Sequence, residues 1–164
     1  MVAEGYTDSM IDRRTALTAL GALTLFPSIA LAATDTDKVV LTDAQWKARL
    51  TAEQFDILRR EGTEMPFSSP LDHEKRAGTY YCAGCNLALF SSKTKYDSGT
   101  GWPSFWAPLP HAVATKVDNS LPDERNEVHC RRCEGHLGHV FDDGPPPTGK
   151  RYCMDGVALK FKPA

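Results

Sequence analysis

The residue type around which chemistry could be built in this chain is cysteine. Cys82-Ala83-Gly84-Cys85 and Cys130-Arg131-Arg132-Cys133 each separate two thiols by two residues, so one tight turn, helped in the first by Gly84, can present both sulfurs to one ion. Two such knuckles complete a tetrahedron of thiolates, the set that zinc takes in structural sites, with no position left open for catalysis. The competing use of these residues is two disulfides, which an exported protein can form. The regularity of the doubled short spacing favours zinc. The long stretch between Cys85 and Cys130 exceeds a compact zinc ribbon and is expected to form an inserted lobe.

There are five cysteines, so one thiol is left over. Cys153 stands in Gly149-Lys150-Arg151-Tyr152-Cys153, with Arg151 two positions away and on the same face of a strand. A cation there stabilises a thiolate. His136-Leu137-Gly138-His139 supplies two imidazoles, and with a metal already served by four cysteines they are free for acid–base work. A lone thiol with imidazoles serves either a thiol redox enzyme or a cysteine hydrolase. A non-enzymatic zinc module that binds a protein partner accounts for the Cys pairs, but gives Cys153 and the histidines no purpose.

The elements that must position these residues read as two helices followed by a small antiparallel β domain. Thr42-x-x-Gln45 and Thr51-x-x-Gln54 are capping boxes, each followed by spaced apolar residues: Trp46 and Leu50, then Phe55 and Leu58. Arg59 and Arg60 suit the end of the second helix, and Gly62 suits the left-handed position after it. Residues 63–78, with Pro66, Pro70 and Gly78, read as a wrapping loop. Strands are expected at Thr79–Tyr81, Leu87–Phe90, Val113–Val117 and Glu127–Cys130, and a single long one at Arg151–Phe161. Asp142–Pro147, which contains three consecutive prolines, is a loop.

Composition narrows the function further. The chain of 164 residues fits one domain, and 41% hydrophobic with 24% charged residues is a globular balance. A net charge of −2 argues against a nucleic-acid binder and against a polybasic membrane-surface protein. Residues 1–32 read as a signal peptide: Arg13-Arg14, an uncharged run from Thr15 to Ala30, then the small-residue pattern Ala30-Leu31-Ala32. The paired arginines point to the twin-arginine route and so to the periplasm. Residues 33–40 are expected to be a flexible polar leader, and 41–164 the functional domain. No stable membrane association is expected after processing, and the expected state is a monomer.

Several segments taken together resemble the methionine-R-sulfoxide reductase (MsrB) family. They are Glu64-Met65-Pro66-Phe67, Tyr81–Cys85, Asp97-Ser98-Gly99-Thr100-Gly101-Trp102-Pro103-Ser104-Phe105, His136–Phe141 and Gly149–Cys153. The resemblance runs from about Leu41 to Phe161. It implies a mainly β fold of two small antiparallel sheets with short peripheral N-terminal helices, and one structural zinc on Cys82, Cys85, Cys130 and Cys133. It implies Cys153 as nucleophile, with His136 and His139 assisting proton transfer and Arg151 beside the thiolate. Trp102 would receive the sulfoxide's methyl group, with Phe105 also on the substrate side. The expected reaction is reduction of methionine-R-sulfoxide in oxidised proteins through a Cys153 sulfenic acid, recycled by a thioredoxin-like or other thiol reductant. Two positions depart from the family pattern. Asp155 stands where many members have Asn, as a further catalytic candidate whose charge would oppose the thiolate. Thr100 stands where some have a resolving cysteine.

Overall fold

The computed structural model describes residues 37–120 and 122–164. The segment read as a signal peptide, and residues 33–36 of the leader, lie outside these. Asp37–Val40, expected to be flexible, are tied to the second knuckle. The Val39 amide donates to the Arg132 carbonyl at 2.8 Å, Asp37 pairs with Arg132 at 2.9 Å, and Lys38 pairs with Glu134 at 2.8 Å.

Both capping boxes form as expected. Helix α1 (Asp43–Arg49) is capped by Thr42 with Gln45, and α2 (Ala52–Arg60) by Thr51 with Gln54. Each satisfies amides that have no partner within a helix. The end of α2 differs from expectation. Glu61, not Gly62, takes the left-handed conformation (φ 57°), and the Gly62 amide bonds back to the Asp56 carbonyl at 3.2 Å. A Cβ at Gly62 would displace the Asp56 carboxylate and press on its carbonyl oxygen at 3.2 Å, so the position is tight rather than closed to other residues.

Among the described residues nine strands form two antiparallel sheets. β1 (Gly78–Cys82) lies between β2 (Ala88–Ser91) and β9 (Leu159–Pro163). The larger sheet has the order β3 (Lys95–Tyr96), β4 (Ser104–Phe105), β8 (Arg151–Met154), β7 (His136–Phe141), β6 (Arg125–Cys130), β5 (Val113–Asp118). The expected single strand Arg151–Phe161 is two strands, one in each sheet. Asp155 and the 3₁₀ turn Gly156–Ala158 carry the chain across. Alternation of Val157, Leu159 and Phe161 persists through the break, so periodicity alone could not reveal it.

The sheets meet through apolar side chains. Phe105 of the larger sheet stacks on Phe90 of the smaller, centroids 4.4 Å apart, and meets Tyr80 edge-on at 4.9 Å. Leu89, Val128, Leu137 and Met154 complete this layer and are fully buried. Each such side chain contributes about 1.5–3 kcal/mol on burial. Among the described residues no helix is long and apolar enough to cross a membrane.

Candidate active site and metal centre

The two cysteine knuckles have one geometry. In each, the residue after the second cysteine is left-handed (Asn86 and Glu134, both φ 57°), and its amide donates to the first cysteine's carbonyl, at 2.9 and 2.8 Å. The amides of Cys82 and Cys130 close the turns onto the Leu87 and Gly135 carbonyls. The four sulfurs lie within 4.8 Å of one another, with Cys82–Cys133 at 3.7 Å and Cys85–Cys130 at 3.5 Å. No pair is joined as a disulfide. Four thiolates at about 2.3 Å from a tetrahedral ion stand about 3.8 Å apart, so the cluster is fit to hold a metal. Cys82 ends β1 and Cys130 ends β6, so such an ion ties the two sheets together.

Cys153 lies elsewhere, on β8. Its register partners are Ser104 on β4 and His139 on β7, and the row continues through Glu127 on β6 and Lys116 on β5. Side chains in register share one face of a sheet. His136 and His139 are three residues apart, which would place them on opposite faces of a regular strand. The pairing of β6 with β7 slips at this point: Val128 pairs with Gly138, but His129 with His136. The extra residue, Leu137, is a bulge that turns into the core and brings both imidazoles to one side, ring centroids 5.3 Å apart. Gly138 (φ 141°) permits it, since a Cβ there would meet the Cys153 carbonyl oxygen at 2.1 Å.

Cys153, His136, His139, Arg151, Asp155 and Trp102 line one cleft of about 490 Å³. The volume suits a small ligand or a single side chain. Phe105, expected on the substrate side, is not on its wall. Neighbouring residues of a strand face opposite ways: Ser104 turns towards Cys153 behind the cleft wall while Phe105 enters the core, and both are fully buried.

Burial pushes the Cys153 thiol above its ordinary value, opposed by the Thr100 hydroxyl, Arg151 and Ser104. Thr100 Oγ1 is 3.7 Å from the sulfur. The Arg151 guanidinium donates to both Asp143 oxygens, at 2.8 and 2.7 Å, and stacks over Phe141 at 4.3 Å. Both histidines are held below their ordinary value by burial, opposed by Asp155 at His136 and by Asp118 at His139. His139 Nε2 is 2.7 Å from Asp118 Oδ2, which also accepts from Arg125 at 2.7 Å. Ser120, His139 and Arg125 keep Asp118 far below the usual carboxylate range.

Asp155 is buried and bonded. Oδ1 accepts from Thr63 Oγ1 at 2.8 Å and the Glu64 amide at 3.0 Å, while Oδ2 stands 3.7 Å from His136 Nε2. Burial raises its carboxyl. Burial favours its neutral form, and a protonated His136 would offset its ionised one, so either lessens the conflict with the thiolate. Glu64 fixes this corner: its carboxylate accepts from the Gly156 and Val157 amides at 2.6 and 2.9 Å, and its carbonyl accepts from Trp102 Nε1 at 3.3 Å.

Asp118, Glu127, Thr63 and Ser104 were not singled out by sequence. Asp118 and Glu127 reach the histidines only through strand pairing. The signal available beforehand was a carboxylate on the polar phase of β5 or β6, which is ordinary on a solvated strand.

A cleft with one thiol, two imidazoles and an aromatic wall, together with a separate four-cysteine cluster able to hold a metal ion, defines a thiol enzyme of the two-sheet type. The SelR domain model matches residues 50–163. Over 127 residues the chain is 52% identical to the peptide methionine sulfoxide reductase MsrB of Pseudomonas putida (strain W619), covering 77% of this chain and 96% of that protein. It is 53% identical over 122 residues to the MsrB of Leptospira interrogans, covering 74% and 93%, and 53% identical to that of Methanosarcina barkeri, covering 74% and 86%. The chain belongs to the SelR-domain family of MsrB proteins.

Proposed function

We propose that this chain is a peptide-methionine (R)-S-oxide reductase that uses Cys153 as its only redox-active thiol. The observation that carries the reading is Cys153 in a cleft with Trp102 and both imidazoles, apart from the cysteine cluster. The Cys153 thiolate attacks the sulfoxide sulfur while an imidazole protonates the departing oxygen. Two electrons pass from the cysteine sulfur to the methionine sulfur, and the oxygen passes the other way. Methionine leaves, and Cys153 becomes a sulfenic acid. Two external thiols then return Cys153 to the thiol, releasing water and a disulfide. Thr100, 3.7 Å from Cys153, occupies the place from which a second cysteine would close an internal disulfide. The ring of Trp102 gives the methyl group an apolar contact, which favours one epimer.

The substrate is methionine sulfoxide within a polypeptide. Met65 and Phe67, 74% and 63% exposed, stand on the loop that is pinned to Gly101 beside Trp102 by the Phe67 amide, at 2.7 Å. They offer apolar contacts to residues flanking the oxidised methionine. Cys82, Cys85, Cys130 and Cys133 hold a zinc ion, which ties the fold and takes no part in the chemistry. The protein is exported to the periplasm by the twin-arginine route. Arg13→Lys with Arg14→Lys should trap it in the cytoplasm, and periplasmic protein persisting in a fractionation of that double variant would defeat the route.

The deciding assay follows methionine formation from racemic sulfoxide, peptide-bound and free, with thiol reductant. Conversion should stop near half, run faster on the peptide, and vanish in Cys153→Ser. Full conversion, or turnover by Cys153→Ser, would refute the reading.

A further inference from the structure

His136 has a carboxylate at each ring nitrogen. Nδ1 is 2.9 Å from Glu127 Oε1, and Nε2 is 3.7 Å from Asp155 Oδ2. Glu127 and His136 are both 3% exposed, and neither Glu127 nor Lys116 lines the cleft. Lys116 Nζ stands 2.8 Å from Glu127 Oε2 and 2.7 Å from Glu61 Oε1. The chain of contacts therefore runs from Glu61 on the cleft wall, behind it through Lys116 and Glu127, and back through His136 to Asp155 and Thr63 in the cleft. No reaction with substrate requires Lys116 or Glu127, yet a buried carboxylate away from any ligand is costly to keep.

We propose that Glu127, ionised against the His136 ring and partly offset by Lys116, is a positioning residue that commits His136 Nδ1 as a donor and so leaves the exchangeable proton at Nε2, on the side of Asp155. An ionised carboxylate accepts only, so the nitrogen facing it must carry hydrogen. The exchangeable proton is then confined to the side of the ring that faces the cleft, where the sulfoxide oxygen needs it. The reaction stays balanced: the proton lent by the Nε2–Asp155 pair is restored when the next Cys153 thiol ionises. The inference rests on His136 serving the reductive half-reaction.

Other charged groups face His136 and set the background. Glu61 lies at the end of α2, Asp118 on β5, His129 beside it on β6 and His139 on its own strand. Asp155, Glu61 and Asp118 favour its protonated form, and Lys116 opposes it. Two substitutions therefore push in opposite directions. Glu127→Gln removes a negative charge and should move the alkaline limb of activity to lower pH by about one unit. Lys116→Met leaves Glu127 uncompensated and should move the same limb to higher pH.

The test is single-turnover methionine formation against pH, without added thiol, so that recycling does not intrude. Glu127→Gln should lose rate above neutral pH with KM for the sulfoxide unchanged, and ¹⁵N NMR of His136 should show its Nδ1 tautomer weakened. Lys116→Met, half exposed and tolerant of change, should hold its rate to higher pH. Shifts in the same direction, or no shift in either variant, would overturn the inference while leaving the proposed function intact. Turnover by Cys153→Ser would overturn that function instead.

Discussion

The sulfurs of the knot lie within 4.8 Å of one another, whereas Cys153 has a hydroxyl, Thr100, at 3.7 Å. The knot is built on strand ends and turns whose left-handed residues and short amide bonds repeat twice, and α2 packs over it. The carbon of Gly84 faces Trp46 and Leu58, and Arg59 donates to the Cys133 carbonyl at 2.9 Å. The cleft instead interrupts regular structure: a bulge at Leu137, a strand broken at Asp155 and an aromatic held by a loop carbonyl. One region gathers cysteines where a bound metal ion would tie two sheets together. The other places cysteine beside groups that hold protons and leaves one side open. Reactivity follows the surroundings, because a thiolate bound to a metal is spent and a solvent-reachable one is not.

The comparison breaks most violently at the knot. Cys82→Ser should release the metal and leave the chain largely unfolded at room temperature. Metal binding to such sites is worth about 10–16 kcal/mol, as much as a domain's whole stability. Metal content and the thermal transition of the purified variant decide this. Cys153→Ser should keep both unchanged while lowering methionine formation at least about a thousandfold, since the nucleophile is gone. A knot variant that stays folded without metal, or a cleft variant that loses it, would erase the division of labour.

A smaller effect separates the two aromatics of the Gly101–Phe105 segment. Phe105→Ala removes a ring stacked within the core and should cost about 3–5 kcal/mol in denaturant unfolding. Trp102→Ala should cost about 1 kcal/mol of stability, because its ring lines an open cleft and its Nε1 makes a single bond. Its loss should fall on KM and on epimer selectivity. If Phe105→Ala instead left the midpoint unmoved and raised KM, the residue would belong to the substrate side after all.

That pair also shows what could be read from sequence. Both helices were legible because capping boxes are local, and the knot was legible because its ligands come as two short repeats. β5 and β6 were legible from composition and alternation. The site itself was legible only as residue types. His136 and His139 at a spacing of three contradict a strand unless a bulge intervenes, and β7 was accordingly not expected. Nothing in the chain near Ser104-Phe105 tells which of the two turns towards Cys153, because a strand of two residues has no period. Glu127 and Asp118 meet their histidines through register, a property of pairs of strands and not of either one.

The smallest effect is also the finest measure of the difference between the two kinds of thiol. Burial raises the Cys153 thiol, and the Thr100 hydroxyl is the first of the groups that pull it back. Replacing Thr100 by Val keeps the shape and removes the donor to the thiolate. The thiol should rise further, so the fraction ionised at neutral pH falls. Since the thiolate alone reacts, alkylation by iodoacetamide at pH 7 should slow by about two- to fivefold, an effect below 1 kcal/mol and fitting for a contact as long as 3.7 Å. At a pH well above the thiol's value the variant and the parent should react alike, because both are then fully ionised. In each protein one thiol should be labelled while the metal stays bound. A slower reaction at every pH would mean that Thr100 governs access to Cys153. An unchanged rate at pH 7 would assign the stabilisation of the thiolate to Arg151 and Ser104 alone.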